Sequence, residues 1–282
     1  MICYGRGCSV TMRKVAFDRC CLVVLAGAQV HLINCKSTLS DTNAEGISVF
    51  AHGRGTEVRF NGGALNNGIQ GLSVQHGASI NANGLSIKSA GVTAAEVMNE
   101  GSKLTMLLCN VDGPTTSSAG KCGTRGVLVH SKGMAALEEM TIKSKNAKTS
   151  VASTTGPKSG AARSGKLYSG VSVTTLSTAA LTKVHISDTV GPCALFDEGC
   201  FGELEECSFS NSQAGNGLEV SMKGTEVEAT GCRCCFCFRS GRIGSYTMPT
   251  SYESYFMLRL YSRSMYAICS WYMRDPPVHR HS

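Results

Sequence analysis

The chain has 282 residues, 42% of them hydrophobic, with 6% aromatics and 32 Gly. That size allows a large core, and that composition favours short strands and tight corners over a helical bundle. The formal charge of +7 is unevenly placed, with six Arg against two acids in residues 236–282 and the remaining +3 spread over the rest. So mild an excess does not argue for a nucleic-acid partner. The apolar run Leu22–Ala26 is far too short to cross a membrane.

In chain order, residues expected to be buried recur as couplets that skip one position. Ile2/Tyr4, Val10/Met12 and Val15/Phe17 open the chain. Val24, Val30/Leu32 and Cys35 form a less complete second copy. Ile47/Val49, Val58/Phe60 and Gly63/Leu65 follow, then Leu72/Val74, Ile80/Ala82 and Leu85/Ile87. Ala95/Val97, Leu104/Met106 and Cys109/Val111 make the next copy, and Val127/Val129, Ala135/Leu137 and Met140/Ile142 the one after. The later copies are Val171/Val173, Ala179/Leu181 and Val184/Ile186, then Ala194/Phe196, Gly202/Leu204 and Cys207/Phe209. Leu218/Val220, Val227/Ala229 and Cys232/Cys234 close the series.

Alternation within a couplet is the period-two mark of a strand with one buried face. Three couplets per copy predict three short strands joined by corners. A unit of that size cannot bury its own apolar face, so copies must stack on one another. Each coil gains roughly 1–2 kcal/mol per buried side chain, against about 1–2 kcal/mol per residue for backbone ordering. A Gly stands three positions before the middle couplet in most copies: Gly7, Gly27, Gly55, Gly77, Gly101, Gly199 and Gly224. There it supplies a positive-φ corner.

This pattern resembles the right-handed parallel β-helix of the pectin-lyase-like superfamily over roughly residues 1–235. The expected fold is therefore all-β: a right-handed parallel β-helix (solenoid) of about nine three-stranded coils. At about 4.8 Å per coil it would form a rod of roughly 40 Å.

Two polar stretches interrupt the period, residues 113–124 and residues 144–169, the second with five Lys/Arg and no acid. Both fall between a third strand and the next first strand, so both would leave from the same corner, where loops commonly build binding surfaces. After residue 235 the pattern stops. Residues 236–282 hold six of the eight Tyr and the single Trp. They read either as a cap on the last coil, through Tyr252–Tyr272, or as a gene-model artefact. The chain opens inside a coil, so it is expected to be a fragment of a larger protein, or else a monomer, with an upstream signal peptide left open.

Fifteen Cys suggest a disulfide framework until they are placed on the repeat. Cys35, Cys109, Cys207 and Cys232 share one inward position with Val15, Leu85, Met140 and Val184, and so behave as small buried hydrophobes. Cys207 and Cys232 would be neighbours on adjacent coils, where a bridge is allowed but not required. The run from Cys232 to Cys237 lacks the paired spacing of a zinc site. Free Cys without a visible leader favour a reducing, cytoplasmic compartment.

The resemblance implies that, if the chain were an enzyme, clustered acids (with or without calcium) and a base would line the first-strand face. The outward rows of that face read Ser48, Ser73, Glu96, Leu128, Ser172, Leu195, Glu219 and Phe50, Gln75, Met98, His130, Thr174, Asp197, Ser221. His130 and Asp197 share a row but stand two coils apart, about 9–10 Å, beyond hydrogen-bond reach. The family's Asp-Asp and Asn-Thr-Asp elements are missing, and His52-Gly53 and His76-Gly77 coincide with corners. The acidic group Glu203, Glu205 and Glu228 is a candidate binding site. Glu203 and Glu228 would lie about 5 Å apart on neighbouring coils, where their repulsion is under about 1 kcal/mol and the fold tolerates them with no ligand; binding a cation such as calcium is the functional option. Paired glycosidase carboxylates are the alternative. The row Glu139, Lys183, Glu206 alternates in sign, as cross-strand pairing favours. No phosphate loop, zincin motif or nucleophile elbow occurs.

These observations predict a non-catalytic repeat protein that presents an extended surface to a polysaccharide or protein. They predict no cofactor, no nucleic acid and no membrane. The alternatives are a truncated polysaccharide lyase or glycoside hydrolase, and the recognition arm of a larger intracellular adaptor.

Overall fold

The computed structural model describes residues 1–39, 46–66, 68–88, 92–113, 124–143, 167–212, 217–222, 224–234 and 257–261. Every regular element among them is a strand, and the strands form three sheets that wrap one core. The first sheet stacks nine strands, from Ile2–Tyr4 to Leu218–Val220, and the third stacks nine, from Ala16–Asp18 to Arg233–Cys234. The second has ten, from Ser9–Arg13 to Glu226–Thr230, closed by Met257–Tyr261. Successive coils pair in parallel, as Leu72 with Ala95 and Ile80 with Leu104 illustrate. The protein is a parallel β-solenoid. Of the nine strands in the first sheet, the two end ones have a neighbour on one side only. About seven turns are therefore enclosed between neighbours, fewer than the nine copies counted in the sequence.

The core follows the couplets. Leu72, Val74, Ile80, Leu85, Val97, Met106, Val129, Met140, Val173 and Val184 are all fully buried. The column shared by cysteines and aliphatics is continuous: backbone bonds from the residue after each member lead from Val15 through Cys35, Gly63, Leu85, Cys109, Met140 and Val184 to Cys207. Its outermost members, Val15 and Cys232, are half-buried, as is Gly63. Cys3, Cys8, Cys20, Cys21, Cys35, Cys109, Cys200, Cys207 and Cys232 are free thiols.

Two couplets differ from expectation. Cys3, not Ile2/Tyr4, faces the core: it pairs with Val24 and is buried, while Ile2 and Tyr4 are each 71% exposed. In the third copy the inward pair is Val49/Ala51 rather than Ile47/Val49, because Val49 pairs with Leu72 and Ala51 with Val74. Side-chain direction alternates strictly, so a slip of one residue exchanges the two faces. Both segments are apolar at successive positions, which hides the period.

The strands also begin inside the two polar stretches, at Thr124 and Leu167, where Thr124 pairs with Leu167 and Arg125 with Ser169. The rest of those stretches, and the tail apart from Met257–Tyr261, lies outside the described residues.

The corners show why so short a repeat closes. At the first corner the seven predicted glycines have φ between 75° and 87°, and Lys132 (67°) and Leu176 (60°) take the same conformation in the two copies without Gly. The second corner also has a left-handed residue in every coil, two of them (Gly62 and Gly63) in the third, and six are not Gly: Lys14, Asn34, Leu108, Glu139, Lys183 and Glu206. Each such residue costs about 1–2 kcal/mol of steric strain. The strain is offset because its N–H donates to the next coil, for example Lys14 to the Ile33 carbonyl at 2.8 Å and Glu206 to the Thr230 carbonyl at 2.8 Å. The row Glu139, Lys183, Glu206 is this corner. No ion pair within 4.0 Å joins these three among the described residues.

Candidate functional site on the outer face of the first sheet

Register sets the two outward rows of the first sheet. One runs Val23, Phe50, Ser73, Glu96, Leu128, Ser172, Leu195, Glu219. Phe50, not Ser48, therefore stands beside Ser73. The other row runs Leu25, His52, Gln75, Met98, His130. Its continuation reaches Thr174 and Asp197, whose N–H groups donate to Val129 and Val173 at 2.8 and 2.9 Å.

Towards the first coils this face carries flat rings. Phe50 and His52 lie 5.8 Å apart between centroids, and His52 and His76 lie 4.5 Å apart, tilted by 31°. His52 ends a strand, while His76 is a left-handed corner residue with φ 54°. The corner geometry turns the second ring back over the first.

The next coils hold a polar cluster. Gln70 Nε2 donates to Glu96 Oε2 at 2.6 Å, and His130 Nε2 lies 3.1 Å from Glu96 Oε1. His130 Nδ1 lies 3.1 Å from Ser131 Oγ. With the carboxylate accepting from Nε2–H, Nδ1 accepts from the Ser131 hydroxyl, which ties the ring on both edges. The His130 and Glu96 side chains are 20% and 14% exposed. The hydrogen bond from His130 holds the Glu96 carboxyl below its ordinary range. Burial opposes that shift, and Gln70 and the charge of Arg125 reinforce it. Held this way, the cluster offers fixed donors and acceptors to a ligand lying on the face rather than a free base.

His130 is thus part of a cluster, but with Glu96 and Ser131 rather than Asp197. Asp197 Oδ1 instead accepts from the Glu198 N–H at 2.8 Å, in its own corner. The pairing of His130 with Glu96 escapes a row-by-row comparison because it is diagonal. His130 lies beside Met98, two residues along the strand from Glu96. Diagonal neighbours on adjacent strands are within reach of long side chains.

Glu203, Glu205 and Glu228 lie on the second sheet, not the first. Glu203 pairs with Glu228 and Glu205 with Thr230. Glu203 and Glu205 are exposed, and Glu228 is half-buried. Among the described residues no group of three or more His, Cys, Asp or Glu is gathered in a form that could hold a metal ion. The larger signal is the local charge. Residues 188–234 contain nine acids against Lys223 and Arg233, a net −7, which a tally over the whole chain conceals.

A small cavity of about 10 Å³ lies in the core near Leu22, Leu32, Val49 and Phe60. It has room for about one water molecule and none for a substrate. Among the described residues no helix is long and apolar enough to cross a membrane. No family model matches the chain, and neither the curated proteins nor the solved structures contain a match to it.

Proposed function

We propose that the solenoid is a non-catalytic binding protein that receives an extended glycan or protein strand along the outer face of its first sheet. The observation that carries this reading is the sequence of groups along that face. The adjacent, mutually tilted rings of Phe50, His52 and His76 run into the fixed polar cluster of Gln70, Glu96 and His130. Aromatic faces beside oriented polar groups suit an amphipathic polymer, and the rows repeat at the spacing of adjacent strands. The kinship with pectin-lyase-like proteins belongs to this proposal, as does a reducing compartment, which the free thiols favour.

The test is a glycan and peptide binding screen with the whole chain, run with and without calcium, followed by Phe50→Ala and Glu96→Gln. Each substitution is expected to weaken a genuine ligand roughly tenfold, equivalent to about 1.4 kcal/mol. Binding that ignores both substitutions, or sustained release of uronic acid from pectin or alginate, would replace this reading with another face or with an enzyme.

A further inference from the structure

We propose that the strand Met257–Tyr261 is an arginine-bearing strap, held by charge on the acidic end of the solenoid. This inference does not depend on the binding role of the first sheet.

The pairing of Met257–Tyr261 with Glu226–Thr230 is the only antiparallel one among the described strands, all others being parallel. Its register is informative. Leu260 is opposite Val227 and Leu258 is opposite Ala229, whereas Arg259 is opposite Glu228. Glu228 is in turn paired with Glu203, so one row reads Glu203, Glu228, Arg259. Two carboxylates on adjacent strands repel, and a cation as third member of the row relieves them.

Charge on a larger scale points the same way. The segment 188–234 has a net −7, and the segment 236–282 has six Arg against two acids, a net +4. The strand also covers hydrogen-bonding groups of Glu226–Thr230 that would otherwise form an open edge, the part of a sheet most prone to pair with another chain. An exposed acidic edge is here met by a strand of the opposite sign from the same chain.

The experiment is amide hydrogen exchange of the full-length protein, with the central strand Lys103–Leu107 as internal control. In low salt, Arg259→Glu is expected to speed exchange in Glu226–Thr230 at least tenfold and to leave the control strand unchanged. The double variant Glu228→Arg with Arg259→Glu is expected to restore protection, and high salt on the wild type to mimic the single variant in part. Unchanged exchange in Arg259→Glu overturns the proposal. So does a double variant as fast as the single one, since the strand would then be held by its apolar positions alone. If Arg259→Glu disturbed folding, Lys103–Leu107 would lose protection too. The salt response of the wild type then decides: no acceleration refutes the role of charge.

Discussion

Glu96 shows how one side chain links the face of the sheet to the stability of the coil. Its carboxyl is held below the ordinary range chiefly by the hydrogen bond from His130. A depressed carboxylate contributes stability that is complete above its unfolded-state pKa, about 4.3, and is lost as pH falls through the folded value. Melting curves of the wild type and Glu96→Gln should therefore differ by a constant amount near neutral pH and converge below about pH 4. A gap that persisted in acid would mean that Glu96 acts through shape alone. The sequence places Glu96 and His130 on one face but not in contact, because contact depends on a diagonal that the side chains choose. Thr56 was equally hidden: its Oγ1 accepts from the Gly27 N–H on the preceding coil at 2.9 Å and donates to the His52 carbonyl at 2.9 Å. Ser102 and Thr225 likewise accept from the Gly77 and Gly199 N–H groups at 3.0 Å. A hydroxyl directly after the corner glycine, as in Gly55-Thr56, Gly101-Ser102 and Gly224-Thr225, is the signal that could have found them.

At the scale of a corner, the left-handed positions differ in what they tolerate. Gly63 has φ 114°, and a Cβ there would collide with the Cys35 carbonyl oxygen. Gly63→Ala combines about 1–2 kcal/mol of left-handed strain with about 1–3 kcal/mol of overpacking. A loss of roughly 2–5 kcal/mol in denaturant unfolding is expected. Leu176 is the opposite case, left-handed at 60° and 61% exposed, with little packing to lose. Leu176→Gly should stabilise by up to about 1 kcal/mol, the relieved strain exceeding the added freedom of the unfolded chain. A destabilised Leu176→Gly would contradict the strain argument. The first corner was legible because glycine marks seven of its nine copies. The second was not, since six of its ten left-handed residues carry side chains and are held there by bonds between coils.

For the whole molecule, stacking should make thiol chemistry follow depth. Cys20 is exposed, whereas Cys109, Cys200 and Cys207 are buried. Burial raises the Cys109 and Cys200 thiols, the latter to about 11, and the neighbouring Cys232 together with burial raises Cys207. Since the thiolate is the reactive form, iodoacetamide on the native protein should modify Cys20 before Cys109, Cys200 and Cys207. Cys109, Cys200 and Cys207 should react only as fast as their coils open. Rapid native labelling of Cys109 would be incompatible with a closed core. The architecture was legible in the sequence wherever apolar and polar residues truly alternate, as from Leu72 to Ile87. It was lost at Ile2–Tyr4 and Ile47–Ala51, where consecutive apolar residues leave the face undetermined. The acidic end was missed for a different reason, because charges of opposite sign in neighbouring segments cancel in a sum.

Residues 114–123 and 144–166 fall in the sequence between a third strand and the next first strand, Asn110–Asp112 to Thr124–His130 and Thr141–Lys143 to Leu167–Val173. Yet Val111 still pairs with Ile142, and Val127 with Val171, on either side of them. Height along the axis is set by one coil at a time, whatever the number of residues between a third strand and the next first strand. That junction is accordingly a natural splice point: foreign epitopes or reporter peptides inserted there would be carried on the flank of the rod, with the ladder above and below undisturbed.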